Sequence, residues 1–412
     1  MRSTLQEEPL AVTECGGTRE SRASEERAAR PVRVLFVGSA TELGGAETAL
    51  LTLLRSLHAE KVCAQYASLE FGEGPMPERV SELGVRVHRL PRGRLRDLRA
   101  TVRKIRALAQ LIRAEKIDVV VSNSGHPLLV ARPGAWLARR PCVWWVHIYD
   151  SAGGGSGEWL ALAQEWLGAD LLLANSEHTA RLLRKGVAPV PPVKLLRPGV
   201  DTRSFHPALQ EGADARRALG VAPGELLVGI FGRLQPWKGQ HTFLEAAAKI
   251  AREFPQCRFA LVGGSLFGLD LEYARQIKQR AEQSDLRGRV LFLGHRADTN
   301  ALCNACDVVV HASVKPEPWG LVVAEAMSSG RAVIAAAAGG PLEMIQHGRT
   351  GLLSPPGDFA ALAGNIAQLL RDAGLRESLG AAARVHAVEH FDSRTRAGEF
   401  AAAMQELVGK ST

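Results

Sequence analysis

The chain has 412 residues, 46% of them hydrophobic and 23% charged, with a formal charge of +8. That length suits two domains, and the composition is globular rather than disordered or fibrous. The positive balance favours anionic partners such as nucleotides and lipid headgroups, while 5% aromatics leave little material for stacking on single-stranded nucleic acid.

Six cysteines do not make a disulfide framework in a chain this long. Cys303 and Cys306 form the only CxxC. With no second CxxC and no suitably placed His pair, they read as buried small residues rather than a zinc site, and the compartment as reducing and hence cytoplasmic. No apolar run approaches the ~20 residues of a membrane span. Glu7, Glu8, Glu14 and Glu20 stand where a signal peptide would be apolar. The expectation is a soluble protein, at most peripheral to a membrane.

Residues 1–30 show no apolar period and read as a disordered tail. Val32–Val37 is a short buried strand, and Gly44-Gly45 leads into a helix over 46–57. Two glycines before a helix give either a tight turn or a backbone contact to phosphate; the spacing is neither GxGxxG nor Walker A. Strands follow at 62–69 and 85–90. A helix over 95–114 carries a core-facing stripe of Leu95, Leu98, Val102, Ile105, Leu108 and Ile112. Arg92, Arg96, Arg99, Arg103 and Arg106 line another face, either a solvated surface or one that meets anionic headgroups or a pyrophosphate-bearing acceptor.

Asp118–Asn123 reads as a strand opening into a polar loop at Gly125-His126-Pro127, before a helix around 129–138. The strand over 142–146 ends at His147. A His there is either structural or points into the crevice where open α/β sheets bind ligands. Asp150 and Gly153-Gly154-Gly155 suggest a mobile, substrate-facing segment. A further strand ends at Asn175, with Ser176 a plausible helix N-cap. Pro189–Pro198 is Pro-rich and marks a domain boundary, followed by an irregular stretch to about Gly224.

The alternation then restarts. Strands end at Gly232-Arg233, Gly263-Gly264, Gly294 and His311, and a last one precedes Gly339-Gly340-Pro341. Two runs of strand and helix predict two doubly wound parallel-sheet domains with a ligand cleft between their strand carboxyl ends. Within the second, Pro316 and Pro318 stiffen a loop that carries Glu317, Gly320 turns it into a helix, and Glu325 lies inside that helix. A carboxylate, a helix N-terminus and a second carboxylate suit sugar, phosphate and ribose in that order, or else form a loop and helix with two solvated glutamates.

Gly232–Gly239 (GRLQPWKG), the Glu317/Glu325 pair spaced E-x7-E and Gly339-Gly340-Pro341-Leu342-Glu343 together resemble the retaining glycosyltransferases of family four. Gly44-Gly45-Ala46-Glu47, His147, Asn175-Ser176-Glu177 and Pro198–Asp201 fit in order, so the resemblance covers nearly the whole chain from Val32. It implies the GT-B fold, two Rossmann-like domains facing a cleft. The expected organisation is a tail over 1–30, an acceptor-binding domain over 31–200 and a linker over 201–224. A nucleotide-sugar domain over 225–388 and a returning C-terminal helix over 389–412 complete it.

The resemblance further implies that Arg233 and Lys238 meet the diphosphate, with no metal or other cofactor required. Glu317 binds the transferred sugar, His147 contacts the sugar or the acceptor hydroxyl, and Glu325 serves the ribose. Trp319, Gly320 and Leu321 place helix N–H groups on phosphate, with Gly44, Gly45 and Gly294 as further donor-binding positions. The partners expected are a nucleotide-diphosphate sugar and a sugar, lipid-linked or small-molecule acceptor, with an anionic membrane contact at the Arg-rich helix and no nucleic acid. Trp319 and Arg197 depart from the residues usual at their positions. Alternatives are a non-catalytic nucleotide-sugar binder of the same fold, or another GT-B enzyme such as a glucan synthase.

Overall fold

The computed structural model describes residues 30–39, 43–69, 74–147, 168–185, 191–265 and 270–410. The expected tail, apart from Arg30, and the loop at Asp150 and Gly153–Gly155 lie outside them.

The first sheet contains β1 (Val32–Ser39), β2 (Val62–Leu69), β3 (Arg86–Arg89), β4 (Val119–Ser122), β5 (Cys142–Val146), β6 (Leu171–Ala174) and β7 (Val193–Leu195). Its seven strands run in the order β3-β2-β1-β4-β5-β6-β7. The second contains β8 (Leu226–Phe231), β9 (Cys257–Val262), β10 (Val290–Gly294), β11 (Val308–His311), β12 (Ala332–Ala336) and β13 (Leu352–Ser354). Its order is β10-β9-β8-β11-β12-β13. Every strand pairing within the two sheets is parallel. Central strands β4, β5, β11 and β12 are buried on both faces, hence their uninterrupted Val, Ala and Trp runs, whereas the edge strand β3 is half exposed. In each sheet the order reverses between two central strands, β1 and β4 or β8 and β11, which opens a crevice at their carboxyl ends.

The two domains are stitched where the chain crosses between them. The Val200 N–H donates to the Phe391 carbonyl at 2.8 Å, and the Ser393 N–H returns a bond to Val200 at 2.9 Å. Gly199 is required there, since a Cβ would sit 2.5 Å from the Ser393 Cα. The helix Ser393–Lys410 then packs back on the first domain, stacking Phe400 on Phe36 with ring centroids 5.5 Å apart.

Three local expectations change. The stretch read as irregular before Gly224 contains the helix Leu209–Ala218, whose Gly212 abuts the Asn304 backbone. The polar loop at Gly125-His126-Pro127 is the first turn of a helix, Gly125–Leu137, where Pro127 forfeits no intrahelical bond. In the helix Leu98–Ala114 the buried face is Ala100, Lys104, Leu108, Ala109 and Ile112. Leu98 is 75% exposed, because Asp97 caps the helix and turns its first residue outward. Lys104 buries its stem along this face and satisfies its ammonium on the Pro91 carbonyl.

Candidate functional site: an interdomain cleft

A cleft of about 290 Å³ opens between the carboxyl ends of the two sheets. The first domain contributes Leu43, Gly44, Gly45, Ala46, Thr48, His147, Asn175 and Pro198. The second contributes loops after β8, β9, β10 and β11, among them Arg233, Lys238, His295, Arg296, Glu317 and the start of the helix Leu321–Ser328. The structure therefore brings Gly44, Gly45, His147, Arg233, Lys238, Glu317, Trp319, Gly320, Leu321 and Glu325 to one place. Gly294 does not line it. At φ +64 its carbonyl accepts the Gly263 N–H at 2.8 Å, so it acts one residue back, holding the Gly263 backbone at the cleft wall.

On the first-domain wall a neutral hydrogen-bond chain fixes His147. The Asn123 amide donates Nδ2–H to the Ala46 carbonyl at 3.2 Å, which turns its Oδ1 towards His147 Nε2 at 3.1 Å. An acceptor at that distance assigns the proton to Nε2 and leaves the lone pair on Nδ1. Burial lowers the imidazole to about 3, so it stays uncharged at neutral pH. Asn175 donates to the His147 carbonyl at 3.0 Å, tying the ends of β5 and β6 together.

The second-domain wall carries the charge. Lys238 ends a one-turn 3-10 segment closed by Gly239, whose φ of +73 and contact with the Ala312 carbonyl exclude any Cβ. Its Nζ lies 2.7 Å from Glu317 Oε2 and 4.1 Å from the Trp237 ring centroid. Burial alone would raise the Glu317 carboxyl, but Lys238 and the His311 hydrogen bond outweigh it and hold the group well below the usual carboxylate range. Arg233 lines the cleft without an ion pair among the described residues.

The Gly339-Gly340 pair stands behind this loop rather than in the cleft. The Gly340 N–H donates to the Glu317 carbonyl at 2.7 Å, and a Cβ on Gly339 would sit 2.1 Å from that same oxygen. Gly320, at φ +97, then caps the helix Leu321–Ser328. Leu321 and Val322 present the first turn of that helix to the cleft, a suitable seat for an anion. Glu325, one turn further in, is half-buried with no side-chain partner among the described residues, and burial raises its carboxyl to about 7. Trp319 is only 3% exposed and packs edge-on against Phe391 at 5.7 Å, so its ring braces the crossover as well as the cleft floor.

Four residues outside the predicted site belong to this region. His311 and Ser313 converge on Glu317. The signal that could have found His311 is the one that marks His147, a His at the carboxyl end of a buried strand. Glu343 reaches across the domains and accepts the N–H groups of Glu177 and His178, both at 3.0 Å, as well as Arg197 Nη2 at 3.2 Å. It caps a helix of the other domain rather than its own. Arg197, the unusual residue before Pro198, is thereby accounted for. No spacing rule announces a cap supplied from 166 residues away.

Residues 43–204 match the family described as Glycosyltransferase Family 4, and residues 213–386 match Glycosyl transferases group 1. The D-inositol 3-phosphate glycosyltransferase of Corynebacterium urealyticum is 31% identical over 227 residues, covering 54% of this chain and 53% of that one. The lipopolysaccharide core biosynthesis mannosyltransferase LpcC of Rhizobium leguminosarum is 30% identical, over 58% of this chain and 65% of its own. The chain thus spans about half the length of the first of these relatives. The crystal structure of Anabaena HepE in complex with UDP and glucose superposes with a TM-score of 0.79 at 30% identity, covering 90% of this chain and 99% of that one.

Proposed function

Since the chain belongs to the group 1 and family 4 glycosyltransferases, with the GT-B fold, we propose that it moves a hexosyl unit from a nucleoside-diphosphate sugar to an acceptor hydroxyl. The donor is a UDP- or GDP-sugar, and the product belongs to a glycan, a lipid-linked saccharide or another glycoconjugate. The observation that carries this reading is the convergence of Arg233, Lys238, Glu317, Glu325 and a helix N-terminus on one cleft wall. The HepE complexes with UDP and with UDP-glucose support the donor class.

In this reading the diphosphate lies against Arg233, Lys238 and the Leu321 N–H. The guanidinium offers a planar fork, the ammonium a point charge and the helix end a partial positive charge. The ribose hydroxyls donate to Glu325 and the hexose hydroxyls to Glu317. As the anomeric C–O bond to phosphate breaks, negative charge grows on the leaving diphosphate, which the two cations already face. Preorganised charge of this kind is the largest single contribution to such a step. The acceptor oxygen attaches on the same face of the sugar, giving retention, and its proton passes to the departing phosphate oxygen. Burial makes the His147 imidazole a weak base, which suits it to hydrogen-bond the sugar or acceptor rather than to take that proton. With Arg233 and Lys238 balancing the diphosphate, the reaction proceeds without a divalent cation.

No helix among the described residues is long and apolar enough to cross a membrane. Arg92, Arg96, Arg99, Arg103 and Arg106 are all exposed, with Leu98 standing out among them. This face meets anionic headgroups or a pyrophosphate-bearing acceptor. Sedimentation with phosphatidylglycerol vesicles that salt does not release, or no binding at all, contradicts that contact.

The test of the function is a thermal-shift panel of nucleoside diphosphates and their sugars, followed by diphosphate release in the presence of EDTA. One base raises the melting temperature by mass action, turnover survives chelation, and the product keeps the donor's anomeric configuration. No shift with any member of the panel contradicts the reading.

A further inference from the structure

Glu317 holds its carboxylate in an asymmetric way. Lys238 Nζ at 2.7 Å, Ser313 Oγ at 3.0 Å and His311 Nε2 at 3.4 Å all approach Oε2, while no donor reaches Oε1 among the described residues. The proton inventory fixes the roles. An ionised carboxylate only accepts, so the single Ser313 hydroxyl proton points to Oε2. The Ser313 oxygen, 3.0 Å from His311 Nε2, must then accept. Nε2 therefore carries a proton, donating to Ser313 and, at longer range, to Oε2. This leaves His311 Nδ1 buried without a partner among the described residues.

An unsatisfied nitrogen in the core is costly. His311 is 4% exposed and Ser313 1%. An aliphatic residue would continue the Val308–Val310 run without that cost, so packing gives no reason for a His at this place. What the His supplies is a ring N–H donor that stays with Glu317 whatever Lys238 does. Lys238 lines the same cleft and has three N–H donors, so a bound diphosphate competes for the charge that now neutralises Glu317.

We propose that His311 and Ser313 are positioning residues that pin Oε2 of Glu317, so that Oε1 is presented to the transferred sugar while Lys238 serves the diphosphate. The proposal rests on the donor reading of this cleft. Its consequence is selective, because the sugar-dependent part of donor affinity depends on the pair and the nucleotide-dependent part does not.

Titration calorimetry with UDP and UDP-glucose, and with GDP and GDP-mannose, separates the two. In the wild-type chain the preferred nucleotide sugar and its diphosphate both bind. In His311→Leu and Ser313→Ala, affinity for the diphosphate stays within about twofold while affinity for the nucleotide sugar falls about tenfold. His311→Gln, whose amide can donate in place of Nε2–H, recovers most of it. Equal losses for diphosphate and nucleotide sugar mean a structural role and overturn the proposal. So does an unchanged ratio, or a His311→Gln variant as impaired as His311→Leu. Should His311→Leu fail to fold, Ser313→Ala removes a single oxygen and still decides. A wild-type chain that binds none of the four probes overturns the donor reading, and this proposal with it.

Discussion

The wall from the first domain and the wall from the second are both made of loops at the carboxyl ends of parallel strands, yet among the described residues only the second carries charge. Among the described residues, the first wall offers a neutral His147, the Asn175 amide and the Gly44-Gly45 backbone. The second offers Arg233, Lys238, Arg296, Glu317 and Glu325. Backbone architecture does not create this difference, since both sheets reverse order at their centre and open the same kind of crevice. It arises from the side chains placed at the strand ends. Strand β5 leads to a His with a neutral amide beside it, and strand β8 leads to an Arg and a Lys. In the proposed reaction this places a charged donor and an uncharged acceptor hydroxyl on opposite sides of one cleft.

The largest effect is expected from removing a cation on the charged wall. Lys238→Ala or Arg233→Ala lowers kcat by about 10²–10³-fold, comparable to losing one oxyanion-stabilising donor. Donor affinity changes less, because the charge they meet grows in the transition state. Steady-state kinetics on the variants checks this, and an unchanged kcat removes both residues from the chemistry.

Next comes the pH dependence of the donor side. Burial holds Glu325 at about 7, above its ordinary range, so its neutral form is favoured below that pH. Ribose hydroxyls donate to the ionised form, so nucleotide affinity rises as pH rises through 7. The difference between pH 6 and pH 8 is about tenfold if binding restores an ordinary carboxylate. Folding stability moves the opposite way: the Glu325 contribution is fully present below the unfolded pKa and is lost as pH rises through 7. Calorimetry across that range measures the first effect, and Glu325→Gln flattens it. A slope that survives Glu325→Gln assigns the titration elsewhere.

The neutral wall should respond differently. His147→Ala is expected to lower transfer to acceptor about tenfold, the cost of one hydrogen bond to a reacting hydroxyl, and to leave affinity for the nucleoside diphosphate unchanged. A matching loss of nucleotide affinity would blur the division between the walls.

The smallest effect falls on the tie between the domains. Glu343→Ala uncovers two N–H groups of the helix Glu177–Arg184 and frees Arg197. It lowers stability by about 1 kcal/mol, in line with losing a helix cap, read as a lower melting temperature. A loss of turnover exceeding that of Lys238→Ala would place the critical contact at this tie rather than on the charged wall.

The division between the walls is only partly legible in the sequence. Strand runs such as Val308–His311 and the loop and helix after them are local signals for Glu317 and Glu325, whereas the roles of Arg233 and Lys238 rest on the family resemblance of their motif. Gly294 shows the limit of that reasoning, because its place after a strand is right while its contact is with Gly263 rather than the cleft. Glu343 shows it more sharply. A first-turn glutamate looks like a complement to its own helix dipole, yet it caps a helix of the other domain. Local periodicity carries the elements, but a bond between residues far apart in the chain is set by domain packing. The His311–Ser313–Glu317 cluster lies between these cases: its members are close in sequence, but their convergence on one carboxylate oxygen depends on the turn of the loop.

A crystal structure with UDP-glucose bound tests the assignment of the two walls most directly. The diphosphate oxygens are expected within about 3 Å of Arg233, Lys238 and the Leu321 N–H, with the ribose on Glu325 and the hexose on Glu317 Oε1. A nucleotide seated instead against Gly44, His147 and Asn175, with Lys238 still turned to Glu317 and away from the phosphates, would contradict it.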